Sequence, residues 1–236
     1  MSRLLLVVAL VCVLGASAMA ATYMEAFGYA DGALIGNDNW TGPEGIPITV
    51  DAGRAKLTYN DAFRGQSVQV NFDPIGGDLI YWCVKVWAGA GEAGNAFDIW
   101  ANDAAGLNFA RWYGGINNER PRIDGFGQVL GGVTLVPDEW NYLCVHIDTV
   151  NKMSTFFFNG ANLGSLQYNL YQPAIGNAVS QVTMGFQNAS TSKDNSYKYY
   201  DLLVVSNEGC VPEPSSLLAL GGFALGALGL IKRRRA

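Results

Sequence analysis

From residue 46 to residue 206 the chain is a succession of short β-branched and aromatic runs, each closed by a turn signal. No stretch of ten or more residues there repeats at helical spacing, so no long amphipathic helix can form. The runs predict strands over residues 46–51, 55–59, 67–71, 79–87, 96–101, 107–113, 122–124, 140–148, 152–158, 181–186 and 198–206. Between them lie Ala52-Gly53, Asp73-Pro74, Gly76-Gly77, Gly114-Gly115, Pro137-Asp138 and Asn159-Gly160, pairs that turn a backbone rather than extend it. Many short strands at this spacing specify an all-β fold, a sandwich or jelly roll. Residues 21–206 are of ordinary size for one such domain.

The two ends carry addresses. Arg3 precedes an apolar run over residues 4–14, and Ala18-Met19-Ala20 fits the small-residue pattern cut by signal peptidase. Residues 1–20 are therefore expected to be a signal peptide, with the mature chain starting at Ala21. At the other end, Pro212 and Pro214 bracket Glu213 in a linker over residues 207–214; they fix φ and remove two backbone donors, so this triplet should be extended. Residues 215–231 are uncharged and apolar. At about 1.5 Å per residue they reach about 25 Å, the lower limit for a transmembrane helix. Lys232, Arg233, Arg234 and Arg235 follow, and residues 232–236 should stay cytoplasmic by the positive-inside rule.

A Pro-Glu-Pro triplet, one short apolar helix and a closing basic cluster resemble the PEP-CTERM sorting signal of Gram-negative bacteria. The resemblance implies an exosortase-type membrane protease as partner and anchoring in the inner membrane before processing. Delivery to the cell envelope, outer surface or extracellular matrix would follow. An uncleaved tail anchor would have the same topology.

Charge narrows the partners further. The whole chain has a net charge of −5, but without Arg3, the basic tail and Glu213 ten basic residues face nineteen acidic ones, about −9. Such a domain is not expected to bind nucleic acid or anionic lipid. Of the four cysteines, Cys12 leaves with the signal peptide and Cys210 sits just before the triplet. Cys83 and Cys144 lie inside apolar strands, where an exported chain could bridge them. Two buried free thiols fit the sequence equally well. No Cys-x-x-Cys spacing exists, and His146 is the sole histidine, so no metal site is expected.

Three segments carry a second resemblance. A turn into Trp140-Asn141-Tyr142 begins a strand, a hairpin ends in Phe158-Asn159-Gly160, and Asp201 opens the late run Leu202-Leu203-Val204-Val205. With Glu25-Ala26-Phe27 and Asn39-Trp40 near the start, the pattern resembles the concanavalin A-like and laminin G-like jelly rolls. Read structurally, Trp140 would plug one end of the core, Asn159-Gly160 would form a type I′ turn, and Asp201 would tie a loop. Laminin G-like domains often hold calcium in loop carboxylates. Asp31, Asp38, Asp103 and Asp194 are the loop acids here, but they form no contiguous acidic loop, so no cofactor is assigned and calcium stays open as what the resemblance allows.

Jelly-roll glucanases hydrolyse sugars with a Glu-x-Asp-x-x-Glu motif on one strand, and this chain has nothing like it. Phe97-Asp98-Ile99-Trp100 offers a single acid, and glycoside hydrolysis needs two. No Gly-x-Ser-x-Gly elbow or phosphate loop occurs either. The domain is therefore expected to be non-catalytic. Trp100, Asn102, Arg111, Trp112 and Tyr113 are the candidate carbohydrate-binding residues, aromatic faces bordered by groups that read hydroxyls, although a core role for Trp100 and Trp112 also fits. The expected function is an exported jelly-roll protein that binds extracellular polysaccharide or acts as a matrix or adhesion component. The alternative is a secreted polysaccharide-active enzyme, glycoside hydrolase-like, without the usual carboxylate pair.

Overall fold

The computed structural model describes residues 21–89, 97–114, 118–123, 128–170, 172–186 and 196–209. The signal peptide expected over residues 1–20, Cys210, the Pro212-Glu213-Pro214 triplet, the helix expected over 215–231, Lys232 to Arg235, and Asp194 lie outside the described residues. The strands, in chain order, are β1 (Thr22–Glu25), β2 (Gly32–Ala33), β3 (Trp40–Thr41), β4 (Ile48–Val50), β5 (Ala55–Thr58), β6 (Ser67–Gly76), β7 (Leu79–Ala88) and β8 (Phe97–Asn102). They continue as β9 (Asn108–Gly114), β10 (Asn118–Ile123), β11 (Gln128–Val129), β12 (Val133–Thr134), β13 (Trp140–Asp148), β14 (Met153–Phe158), β15 (Ala161–Gln167), β16 (Ala178–Phe186) and β17 (Tyr197–Ser206). A single 3₁₀ turn at Asp61–Phe63 completes the inventory among the described residues.

Two antiparallel sheets face each other, an all-β arrangement consistent with a jelly-roll sandwich. The first runs β15-β14-β13-β7-β17-β5-β4-β2, with β1 pairing the C-terminal half of β17. The second runs β11-β10-β9-β8-β16-β6-β3, with β12 also pairing β10. Alternation explains the layering. In β7, Ile80, Trp82, Val84, Val86 and Ala88 are buried, and Tyr81, Cys83, Lys85 and Trp87 take the other face. In β13, Asn141, Leu143, Val145 and Ile147 point inward in the same way. Large side chains from both sheets fill the gap, among them Trp40, Trp82, Trp112, Phe97, Phe156 and Tyr200. Each contributes roughly 1.5–3 kcal/mol or more of burial.

Some turn chemistry is as expected and some is not. Asn159 and Gly160 have φ of 46° and 82°, the two positive values a type I′ hairpin requires. Asp73-Pro74 does not end a strand; β6 runs through it to Gly76, and the proline sits at a register shift opposite β16. Trp140 is not a core plug. The phase of Leu143, Val145 and Ile147 turns it outward, opposite Trp87. Its neighbour Asn141 takes the interior, held by the backbone N–H and C=O of Val136 and the C=O of Glu139. Cys83 and Cys144 are disulfide-bonded, directly opposite on β7 and β13 with Cα atoms 4.1 Å apart.

Candidate functional site

The outer face of the second sheet is where polar and aromatic side chains converge. In β8, Phe97, Ile99 and Ala101 enter the core, so Asp98, Trp100 and Asn102 take the opposite face. In β9, Ala110 and Trp112 are buried while Arg111 and Tyr113 look outward. Trp112 thus leaves the set of sugar-binding candidates: it is fully buried, edge-on to Phe156 of the opposite sheet at 5.5 Å, because one residue along a strand changes its face. The other four candidates, Trp100, Asn102, Arg111 and Tyr113, share one face.

Register extends this face across six strands. Arg122 of β10 lies beside Arg111 of β9, then Trp100 of β8, Thr183 of β16, Gln69 of β6 and Thr41 of β3. A parallel row holds Asn102, Gln181 and Asn71. The Asn102 amide lies 2.8 Å from Gln181 Oε1 and 3.1 Å from Thr183 Oγ1, and Gln181 Nε2 donates to Asn71 Oδ1 at 2.9 Å. A third row runs Arg120, Tyr113, Asp98, Gly185 and Ser67.

The rows have a basic, aromatic end. The Arg111 guanidinium sits 4.9 Å from the Trp100 ring centre and 5.5 Å from that of Tyr113, and Arg122 sits 5.0 Å from Tyr113. Asp98, almost wholly buried, forms an ion pair with Arg111 that fixes the guanidinium against the rings. Arg120 is exposed, and a cavity of about 460 Å³ opens beside it against residues 129–134.

Behind this end, facing the core, is a second ion pair. Glu119 of β10 meets Lys198 of β17 across the two sheets, and both are buried. Burial pushes the Glu119 carboxyl up to about 7, with Lys198 opposing and Asp98 adding to the shift. Burial likewise drives the Tyr200 phenol well above its usual range, helped by Glu119 and Asp98.

The remaining candidates lie elsewhere. His146 is on the outer face of the first sheet, against Tyr81 and Phe157, and burial lowers its pKa. Asp31 accepts the Ala52 N–H, and Asp103 accepts those of Ala105, Leu107 and Gly176. Asp38 accepts the Tyr29 hydroxyl. No group of three His, Cys, Asp or Glu suited to a metal occurs among the described residues. Sequence reasoning missed Arg120, Arg122, Gln69, Thr183 and Gln181, which sit on strands distant in the chain. Their one local signal is the alternation of Arg120 and Arg122 around Pro121.

No protein-family model matches the sequence, and no curated protein is significantly similar to it. Solved structures share the fold. The alginate lyase Aly36B is similar over 78% of this chain and 96% of its own, with a TM-score of 0.51 and 15% identity. The CBM2 module of the evolved Dit of Lactobacillus casei BL23 phage J-1 is similar over 79% and 95%, at 0.53 and 13%. A sialidase matches over 77% of this chain at 0.52 and 11%, but the match spans only 18% of the sialidase. The expectation of a non-catalytic domain does not stand against these neighbours, which are mostly carbohydrate-active enzymes. The absent Glu-x-Asp-x-x-Glu motif bears on one hydrolytic chemistry alone, and one of the similar solved structures is a lyase.

Proposed function

We propose that this chain is a polysaccharide-active enzyme of the jelly-roll class whose groove holds an acidic glycan across the strands of the second sheet. The observation that carries this reading is the outward row from Arg122 through Arg111 and Trp100 to Thr183, with Tyr113 between two guanidiniums. Arg111 and Arg122 match the carboxylate of a uronate residue, and the rings of Trp100 and Tyr113 give a sugar its apolar contact. On a domain of strongly negative charge, a local basic strip also focuses an anionic chain.

Elimination fits the groove better than hydrolysis. Hydrolysis needs two carboxylates about 5–9.5 Å apart. Among the described residues the groove rows offer one, Asp98, and Arg111 holds it. Neutralising a uronate carboxylate with a guanidinium acidifies the adjacent C5–H; Tyr113, its own proton first given up to solvent, would take the C5 proton and pass it to the C4 oxygen, so that C5–H and C4–O break, C4=C5 forms and the tyrosine is returned to its starting state. Export through residues 1–20 and sorting through the Pro212-Glu213-Pro214 tail by an exosortase would bring the domain to envelope or matrix polysaccharide.

The test mixes the exported protein with polyuronates and reads binding together with the ultraviolet absorbance of unsaturated uronate ends. Arg111→Ala should lose both, and Tyr113→Phe should keep binding and lose product. Absence of binding to every acidic polysaccharide tried would reject the reading.

A further inference from the structure

The polar rows do not stop at β6. Strand β3 is only two residues long and pairs Val70 and Gln69, so among the described residues no strand pairs that edge of β6 from Asn71 onward. There a cleft of about 620 Å³ opens, lined by Asn71, Phe72 and Asp73 on one side and Asp38, Asn39 and Thr41 on the other. Its back wall is Tyr23, stacked on Phe72 with ring centres 4.3 Å apart and planes within 9°. Asn71 belongs both to this cleft and, through Gln181, to the row that leads back to Asn102. The cleft is thus continuous with the groove.

The cleft has the opposite charge from the other end. Tyr29 lies 2.7 Å from Glu25 Oε2 and 2.6 Å from Asp38 Oδ2, yet its phenol has one proton for two carboxylates. Glu25 also accepts the Phe27 N–H and the Trp40 indole, while Asp38 has no further donor among the described residues. Asp73, exposed at the rim, is the second carboxylate of the lining beside Asp38, while Glu25 is buried outside it. Asp38 and Asp73 can accept from the hydroxyls of an uncharged sugar and repel a uronate, and Asn39 and Thr41 can donate to the same sugar.

We infer that this edge cleft is the far subsite of the same groove and takes a neutral, hydroxyl-rich sugar, so that the substrate is a mixed glycan. This rests on the groove reading above. From Arg122 to Thr41 there are five inter-strand gaps of about 4.8 Å, about 24 Å in all, room for roughly four or five pyranose rings. The acidic residue sits at the arginine end, and a neutral one occupies the cleft.

Calorimetry on the intact protein separates the possibilities, with digalacturonate, hexagalacturonate and a xylohexaose bearing one glucuronate as probes. The mixed hexamer should bind at least tenfold tighter than digalacturonate, and Thr41→Trp, which fills the cleft, should remove that gain. Asp73→Asn should tighten hexagalacturonate about threefold and leave digalacturonate unchanged. If digalacturonate binds and Trp100→Ala abolishes it, but length and the Asp73 and Thr41 variants have no effect, the groove ends short of the cleft and this inference fails alone. If no probe binds, the groove reading and the inference fall together.

Discussion

At the scale of single residues, one position along β9 separates an outward side chain from a core one. Arg111 is on the outer face of the second sheet, and Trp112, next to it, is buried among core side chains. The sequence offered both as candidates, since aromatic and guanidinium groups in a polar stretch look alike on either face. Truncating Trp112 to Ala leaves a cavity between the sheets and should cost about 3–5 kcal/mol. Trp100→Ala, on the open face, should cost far less stability and instead lose glycan affinity. Urea titrations of the two variants, read beside their binding isotherms, decide this. Equal destabilisation would put Trp100 in the core as well.

At the scale of elements, legibility followed alternation. β7 and β13 were readable over nearly their whole length because each alternates buried and outward residues without interruption. β10 was readable only at its end, since Asn118-Glu119-Arg120-Pro121-Arg122 has charges and a proline that locally signal a loop. The β7 and β13 pair is also where the covalent link sits. Cys83 and Cys144 are 61 residues apart in sequence, so the bridge closes a long loop in the unfolded chain. Replacing both with Ala should lower stability by about 2–5 kcal/mol, read as a shift in the denaturation midpoint. No shift under oxidising conditions would mean that the strand pairing alone holds this part of the sheet.

At the scale of the whole molecule, apolar packing holds the two sheets together, and among the described residues the Lys198–Glu119 ion pair and a hydrogen bond from Ser154 Oγ to the Phe109 C=O also join them. Glu119 has its pKa raised from 4.5 to about 7, chiefly by burial. A raised carboxyl favours its protonated form in the folded state. Its contribution is therefore fully present below pH 4.5 and is lost as pH climbs through about 7, on the order of 3 kcal/mol in all. Asp148, lowered mainly by the backbone N–H of Asn151, acts with the opposite sign and only as pH falls toward and below its usual 3.8. The double variant Glu119→Gln with Lys198→Met should flatten the slope between pH 4.5 and 7 without loss of stability above it. Urea midpoints across that range test it, and an unchanged slope would assign the pH dependence to other groups.

The sequence alone determined the class of fold, because β propensity, turn chemistry and alternation act within a few residues. It also gave the Asn159-Gly160 turn from local pattern, and it offered Trp100, Asn102, Arg111 and Tyr113 as candidates, which share one face of the second sheet. Which face each side chain takes, and which distant strands lie beside it, depended on the order of the sheets. β16 inserts between β8 and β6, so Thr183 and Gln181 meet Trp100 and Asn102 from some eighty residues away. Only tertiary packing decides that, because burying Ile99, Ala101 and Trp112 against the opposite sheet is what turns their neighbours toward solvent.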